Sequence, residues 1–289
     1  MNKPLVLVTG KNGQLGSELL TLHVSYPQFQ WIFVDVEEMD LSSKESIIAA
    51  FQQYKPAFFI SCGAYTAVDK AESEKEIAEK INADAVGVIA EQCRQIGATL
   101  IQISTDYVFD GNAQHPYTAD APTNPVNFYG QSKLDGEKLA LAKNDKTIII
   151  RTAWVYSSFG KNFVKTMLRL MSEKSEISVV NDQVGTPTYA RDLAAAVCKI
   201  ITSEKQVYGI YHFTNAGIIS WFDFAVEIKS LAKLNCTIRA IPTSAFPTPA
   251  KRPRYSVLDK SKIVNDYSIE LRDWRESLKE CMKYLQLLA

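Results

Sequence analysis

Tyr129 and Lys133 stand four residues apart in Tyr129-Gly-Gln-Ser-Lys133, so on a helix they share one face. A phenol beside an ammonium is a proton-transfer pair. Free tyrosine titrates near ~10, and a neighbouring cation favours the phenolate and draws that value toward working pH. The phenol then becomes a usable general acid or base for a carbonyl/alcohol pair. The chain has thirteen tyrosines, and about one such spacing is expected by chance, so position has to supply the meaning. This is the only Tyr-x-x-x-Lys in the chain, and it opens the helix expected between the fourth and fifth strands. Ser104-Thr105-Asp106 closes the fourth strand, where ligands meet doubly wound sheets. A hydroxyl at Thr105 can hydrogen-bond the oxygen that Tyr129 protonates. The plain alternative is an exposed helix tyrosine with a solvated lysine.

A second constellation binds rather than reacts. Gly10-Lys11-Asn12-Gly13-Gln14-Leu15-Gly16 follows the strand expected at Leu5–Thr9 and opens a helix. Three glycines at this spacing permit a tight turn, close approach to a pyrophosphate and close helix–strand packing, and the helix N-terminus offers free N–H groups. Asp35 falls 19 residues after Gly16, at the end of the second strand, where a carboxylate accepts from the adenosine ribose. Asp40 and Leu41 come where the chain could meet the adenine, although Asp40 could equally cap the next helix. The reading is a nicotinamide cofactor, NADPH or NADH. The Asp35 charge favours NADH by repelling a 2′-phosphate, and Lys11 softens that repulsion.

These residues need elements to hold them. Strands are expected at Leu5–Thr9, Trp31–Asp35, Ala57–Cys62, Thr99–Ser104 and Thr147–Thr152, with helices at Gln14–His23, Lys44–Tyr54, Glu74–Ile96 and Tyr129–Ala142. That alternation predicts an α/β fold: a Rossmann-type doubly wound parallel sheet over residues 1–152, rejoined by part of 175–215. Residues 153–289 are expected to form a smaller, irregular α/β lobe that binds substrate. Its strands are expected at Ile177–Val180, Ile210–Thr214 and Thr237–Ile241, and its helices at Phe163–Ser172, Ala190–Thr202, Trp221–Leu234 and Trp274–Leu287. The loop from Pro242 to Pro253 carries four prolines and should be extended and non-helical. The acidic-apolar stretch Glu74–Ile96 offers a packing face for a homodimer.

Composition sets the outer limits. Thirty-two basic residues balance thirty-two acidic ones, so no net field draws nucleic acid or an anionic membrane. Five scattered cysteines without a CxxC pair suit a reducing, cytoplasmic setting, and three distant histidines show no metal-ligand spacing. No apolar run reaches the ~20 residues that span a bilayer.

Over nearly its whole length the chain resembles the extended short-chain reductases, and within them the dTDP-4-dehydrorhamnose reductases. The resemblance rests on Gly63–Glu74, Ser104–Gly111, Tyr129–Lys133, Arg151–Tyr156, Asn181–Thr188 and Pro247–Pro253. It implies hydride transfer from a nicotinamide to C4 of dTDP-4-dehydro-β-L-rhamnose, with Tyr129 as proton donor. Lys133 would hold the nicotinamide ribose and lower the Tyr129 pKa, and Thr105 takes the place of the superfamily serine. The same resemblance puts Ala64, Tyr65, Thr66 and Ile103 against the cofactor, and Val68, Asp69, Asp106, Trp154 and Arg252 against the nucleotide sugar. Trp154 could instead be core, and Lys251-Arg252-Pro253-Arg254 could bind the pyrophosphate or be a solvated basic loop. Some members hold a divalent ion between subunits with glutamates. Glu18 fits one such position but Arg191 stands at another, so no metal site is expected and Mg2+ is left open. The alternatives are a nucleotide-sugar 4-epimerase, a reductase of another 4-keto sugar, or a non-catalytic cofactor-binding regulatory subunit.

Overall fold

Short β-branched runs separated by amphipathic stretches form the first half of the chain. The computed structural model describes residues 3–285. The strands are β1 (Leu5–Thr9), β2 (Gln30–Val34), β3 (Phe58–Ser61), β4 (Thr99–Thr105) and β5 (Thr147–Thr152). They alternate with α1 (Gln14–Leu22), α2 (Lys44–Tyr54), the pair α3 (Lys75–Glu79) and α4 (Ala85–Ile96), and α5 (Phe128–Lys143). The chain continues through β6 (Val155–Tyr156), α6 (Phe163–Glu173), β7 (Glu176–Val180), β8 (Val184–Gly185), β9 (Thr188–Tyr189), α7 (Ala190–Thr202) and β10 (Gly209–His212). It closes with β11 (Ile219–Ser220), α8 (Trp221–Ala232), β12 (Thr237–Ile241), α9 (Ser261–Tyr267) and α10 (Trp274–Tyr284).

Six strands make one parallel sheet in the order β10-β5-β4-β3-β1-β2. The chain winds outward from β1 to β2, then returns to β3 on the other side of β1. Ligands bind such sheets at the carboxyl ends of the strands where the winding reverses. Here that crevice lies between the ends of β1 and β3, and a Cβ on Gly10 would stand 2.8 Å from the Gly63 nitrogen. The strand residues alternate between two cores. Val6, Val8, Ile60, Ile101, Ile148 and Ile150 pack toward α1, α7 and α9, while Leu7, Phe59 and Leu100 pack toward α2 and α4. A separate core joins Tyr156, Val164, Tyr189, Phe224, Trp274 and Leu278 from the elements after β5.

Three expectations are corrected. The stretch Glu74–Ile96 is not one regular helix: residues 80–84 form a π-helical turn between α3 and α4. Nor is its apolar face free for a partner, because Val86, Ile89, Ala90 and Cys93 are buried in the core beneath the sheet. The strand expected at Ile210–Thr214 ends at His212 and lies beside β5 in the main sheet. The proline-rich loop contains one 3₁₀ turn at Thr243–Ala245. The end of the last expected helix, at Leu287, lies outside the described residues.

Candidate active site

A cavity of 800 Å³ runs along the carboxyl edge of the sheet and is lined by residues from both halves of the chain. At its centre α5 presents Tyr129 and Lys133 to the end of β4. Two contacts set the helix start there. Asn127 caps it by accepting from Gly130 N at 2.8 Å, and Glu72 accepts from Phe128 N at 2.8 Å. Gly130 lets the helix press on the loop after β4, because a Cβ there would lie 2.1 Å from the Tyr107 carbonyl oxygen. The Tyr107 and Tyr129 rings meet edge to face with centroids 5.6 Å apart.

The electrostatics of this centre differ from the expectation that Lys133 lowers the Tyr129 pKa. Burial pushes the Tyr129 phenol up to about 12, the Thr105 hydroxyl opposes this, and the Asp106 charge adds to it. Lys133 is buried and donates to the Ile103 carbonyl at 2.7 Å. Burial pushes its ammonium down to about 8, against the pull of Glu137 one turn further along α5. Here the lysine braces the strand and the phenol stays protonated at neutral pH, as a group that gives up a proton must be. Thr105 accepts from Tyr107 N at 3.2 Å and donates to Asp106 at 3.0 Å, while Asp106 Oδ2 is buried without a partner.

The other end of the cavity is a cradle. Gly10, Asn12, Gly13, Gln14 and Leu15 line it. No side chain caps the N-terminus of α1, whereas α2, α5, α6, α8 and α10 are all capped by side chains. An uncapped helix start beside glycines suits a pyrophosphate, so the residues present fit a dinucleotide. Gly16 does not reach the cavity. A Cβ there would lie 2.1 Å from the Gly10 carbonyl oxygen, so its absent side chain allows α1 to close on the loop. Asp35, Asp40 and Leu41 line the far wall. The Asp35 carboxylate accepts from Asn12 N at 2.9 Å, and Asp40 accepts from Ser42 N at 2.7 Å while Ser43 caps α2.

Ile103, Ala64, Thr66, Val68, Thr105, Asp106 and Trp154 also line the cavity. Trp154 is not on a strand. It sits after β5 with φ of 50°, a left-handed conformation strained for a bulky residue. Its ring stacks on Trp221 with centroids 3.6 Å apart, and a Cβ at Gly185 would come within 2.7 Å of it.

Besides Gly16, four expected residues stand outside the lining. Tyr65 turns its hydroxyl to Glu74 at 2.6 Å, and Asn82 grips its backbone through Tyr65 N at 2.9 Å and Tyr65 O at 3.0 Å. Asp69 and Arg252 engage each other at 2.8 Å, tying the loop after β3 to the proline-rich loop, and Arg252 lies behind Tyr107. Glu18 is buried, accepts from Ser157 at 2.6 Å and faces Arg191 at 3.6 Å. Burial raises its pKa.

A family model described as the RmlD substrate binding domain matches residues 4–287. The dTDP-4-dehydrorhamnose reductase of Aggregatibacter actinomycetemcomitans is 38% identical, covering 97% of this chain and 99% of the relative. This chain belongs to the dTDP-4-dehydrorhamnose reductase family. A crystal structure of the Clostridium acetobutylicum member is 43% identical with a TM-score of 0.93, covering 98% of this chain and 99% of that one. The Bacillus anthracis member, solved in complex with NADP, is 37% identical at the same TM-score of 0.93, with 98% and 99% covered. As a member of this family the chain is an NAD(P)H-dependent oxidoreductase. No helix among the described residues is long and apolar enough to cross a membrane.

Several positions that build the cavity of this reductase are not announced by the sequence. Tyr107, Gly160 and Lys161 line the cavity. Gly160 and Lys161 belong to a small loop that Asn162 fastens to Gln14 at 3.0 Å, a contact no local pattern announces. Asn82 did leave a signal: a polar residue on the buried face shared with Ala78 and Val86. The π-turn carries its amide to Tyr65 and to Ser132 at 3.0 Å, which joins the loop after β3 to the helix bearing Tyr129.

Asp106 gives the site a pH signature. Burial lifts its carboxyl from an ordinary 3.8 to about 7. The folded state therefore binds this proton more tightly than the unfolded state does. The associated stability is present at acid pH and is lost as pH rises from about 4 through about 7. Asp106→Asn removes that loss. Urea midpoints at pH 5 and pH 8 are expected to show the variant gaining on the parent by on the order of 3 kcal/mol over this window. Parallel pH profiles for the two proteins would show that Asp106 is ionised throughout.

Proposed function

We propose that this chain reduces the C4 keto group of dTDP-4-dehydro-β-L-rhamnose, with NADPH or NADH, to give dTDP-L-rhamnose. Tyr129 is the proton donor. The observation that carries this reading is a phenol held protonated beside the Thr105 hydroxyl, within a cavity whose other end fits a dinucleotide. A bound reduced nicotinamide supplies the hydride. Tyr129 Oη gives its proton to the C4 oxygen as negative charge develops there, and Thr105 hydrogen-bonds that oxygen. The Thr105 hydroxyl favours the resulting phenolate, and Lys133, on the same helix face, braces the end of β4 through the Ile103 carbonyl. The carbon thus gains one hydrogen from the cofactor and the oxygen gains one from Tyr129.

The cofactor is held by the Gly10–Gly16 loop, Asp35, Asp40, Leu41, Ile103 and the backbone of residues 64–66, with Lys133 on the nicotinamide ribose. Residues 1–152 with α7 and β10 act as the cofactor unit, and the rest as the substrate lobe. The sugar lies against Val68, Asp106 and Trp154. Arg252 serves the diphosphate from behind Tyr107, and its Nη1 is buried without a partner, which supports a role toward an anion.

The test is a spectrophotometric assay with dTDP-4-dehydro-L-rhamnose and each nicotinamide in turn, with the sugar product identified by NMR. One cofactor oxidised per sugar reduced is expected. Sugar interconversion without net oxidation would make the protein an epimerase. No consumption of this sugar, with turnover of another 4-keto sugar, would remove the named substrate. Cofactor binding with no turnover at all would indicate a regulatory subunit.

A further inference from the structure

We propose that Trp221 is a positioning residue for the sugar: it holds the Trp154 ring in place as a ready-made wall of the cavity, so that the nucleotide sugar does not have to order that ring on binding. The role rests on the reading of Trp154 as a sugar contact and deepens it.

Trp154 lines the cavity, whereas Trp221 and Gly185 do not, so either can act on the sugar only through Trp154. The Trp154 backbone keeps a left-handed φ of 50°, which a bulky residue holds only where its surroundings over-determine it. Those surroundings are specific. The Trp154 carbonyl accepts from Thr188 N at 3.2 Å, and the next two residues pair with Thr188 and Tyr189 as β6 on β9. The indole stacks on Trp221 with 13° between the ring planes. Gly185 leaves space for the indole, since a Cβ there would stand 2.7 and 2.8 Å from its Cε2 and Cζ2.

Trp221 is itself fixed. It is the first residue of α8, whose start is locked by a capping box between Ser220 and Asp223. Ile219 and Ser220 pair with Gly185 and Val184 as β11 on β8, so the stacking partner follows directly on the strand that pairs with the glycine. Val184 also bonds the end of the proline-rich loop that carries Arg252: its N–H donates to the Arg254 carbonyl at 2.7 Å, and its carbonyl accepts from Ser256 N at 2.8 Å. Phe163 packs on Trp221 with centroids 4.6 Å apart, one residue after Asn162, which is fastened to Gln14 of the glycine loop at 3.0 Å. The wall is thus tied to the loops that frame the cavity.

The consequence is energetic. A flat indole face suits the C–H side of a pyranose ring. An indole free to turn would lose that freedom when the sugar lands on it, and the ordering cost would weaken binding. Trp221 orders the ring beforehand, through an aromatic stack whose contribution corresponds to about tenfold in an equilibrium constant. Preorganisation of this kind lowers KM and leaves kcat nearly unchanged, because the bound complex is the same.

The test is steady-state kinetics with dTDP-4-dehydro-L-rhamnose on Trp221→Leu, Trp221→Phe, Gly185→Ala, Trp154→Leu and the double variant Trp154→Leu/Trp221→Leu, with cofactor binding measured by calorimetry. In Trp221→Leu the sugar KM should rise about tenfold, with kcat within about threefold and the cofactor Kd within about twofold of the parent. Trp221→Phe keeps a flat ring and should return KM to within about threefold. Gly185→Ala should raise KM with Trp221 intact, because it displaces the Trp154 ring. Since Trp221 acts through Trp154, the double variant should be no worse than Trp154→Leu alone. An unchanged sugar KM in Trp221→Leu, an equal loss of cofactor affinity, or additive losses in the double variant overturns the assignment of Trp221. If Trp221→Leu does not fold, Gly185→Ala decides, and the parent's KM in that variant overturns the assignment. An unaffected KM in Trp154→Leu overturns the sugar contact itself and the role of Trp221 with it. A parent that does not turn over this sugar removes the proposed function as a whole, and this role too.

Discussion

Tyr129→Phe is expected to lower kcat by about 10²–10⁴-fold while leaving the fold and NADPH or NADH binding intact. The substitution deletes one oxygen from a ring that is already supported on its apolar edge by Tyr107 at 5.6 Å between centroids, so packing is barely disturbed. What is lost, on the proposed reading, is the proton donor: burial pushes its pKa up to about 12, so the phenol keeps its proton at neutral pH. On that reading the same value sets the cost of the reaction: as the proton leaves, the Thr105 hydroxyl is the group that favours the phenolate. Lys133 holds the Ile103 carbonyl at 2.7 Å. Steady-state kinetics with each nicotinamide, alongside fluorescence binding of the cofactor, separates the two effects. Turnover within tenfold of the parent would remove Tyr129 from the chemistry. Loss of cofactor binding along with turnover would make its role structural.

Arg151→Met should be the most destabilising of the simple changes near the site, by about 3–5 kcal/mol. Arg151 on β5 and Glu137 on α5 are both almost wholly buried, with side-chain exposures of 3% and 2%. Nε and Nη2 meet the carboxylate at 2.9 and 2.7 Å, Nη1 donates to the Ala119 carbonyl at 3.3 Å, and the guanidinium lies over Phe109 at 5.0 Å. Ser104 donates to the same carboxylate from the end of β4. Removing the arginine strands a buried charge, whereas Arg151→Met with Glu137→Met removes both charges and should recover most of the loss. Urea denaturation of the single and double variants measures this directly. A single variant within 1 kcal/mol of the parent would show that Glu137 is neutralised some other way. The pair also matters to the site, because Glu137 raises the pKa of Lys133 against burial. The double variant should therefore shift the basic limb of any pH–rate profile to lower pH.

Much of this molecule was legible before any tertiary contact was considered. The five strands ahead of residue 152 and the helices between them follow from local periodicity, and helices such as Ala190–Thr202 end where the sequence pattern ends. The glycine loop, Asp35, Thr105, Tyr129 and Lys133 each sit at the junction of a strand and a helix. In a doubly wound sheet all such junctions meet at one edge. Local spacing is enough to read them because the topology does the gathering.

The YxxxK pair shows where that legibility stops. Spacing determined that Tyr129 and Lys133 share a helix face, and the sheet order determined that this face meets the end of β4. Whether the ammonium acts on the phenol or on the Ile103 carbonyl was decided by packing, as was the upward shift of the phenol. The same holds for Asp69 and Arg252, 183 residues apart and engaged with each other, and for Tyr65, turned away to Glu74. It holds as well for Lys11, paired with Glu38 27 residues away. The reason is physical. Periodicity and turn chemistry are set by neighbours along the chain, so they are written in the sequence. Burial and charge pairing depend on which distant groups share a site once water is gone, and only the folded chain brings those groups together.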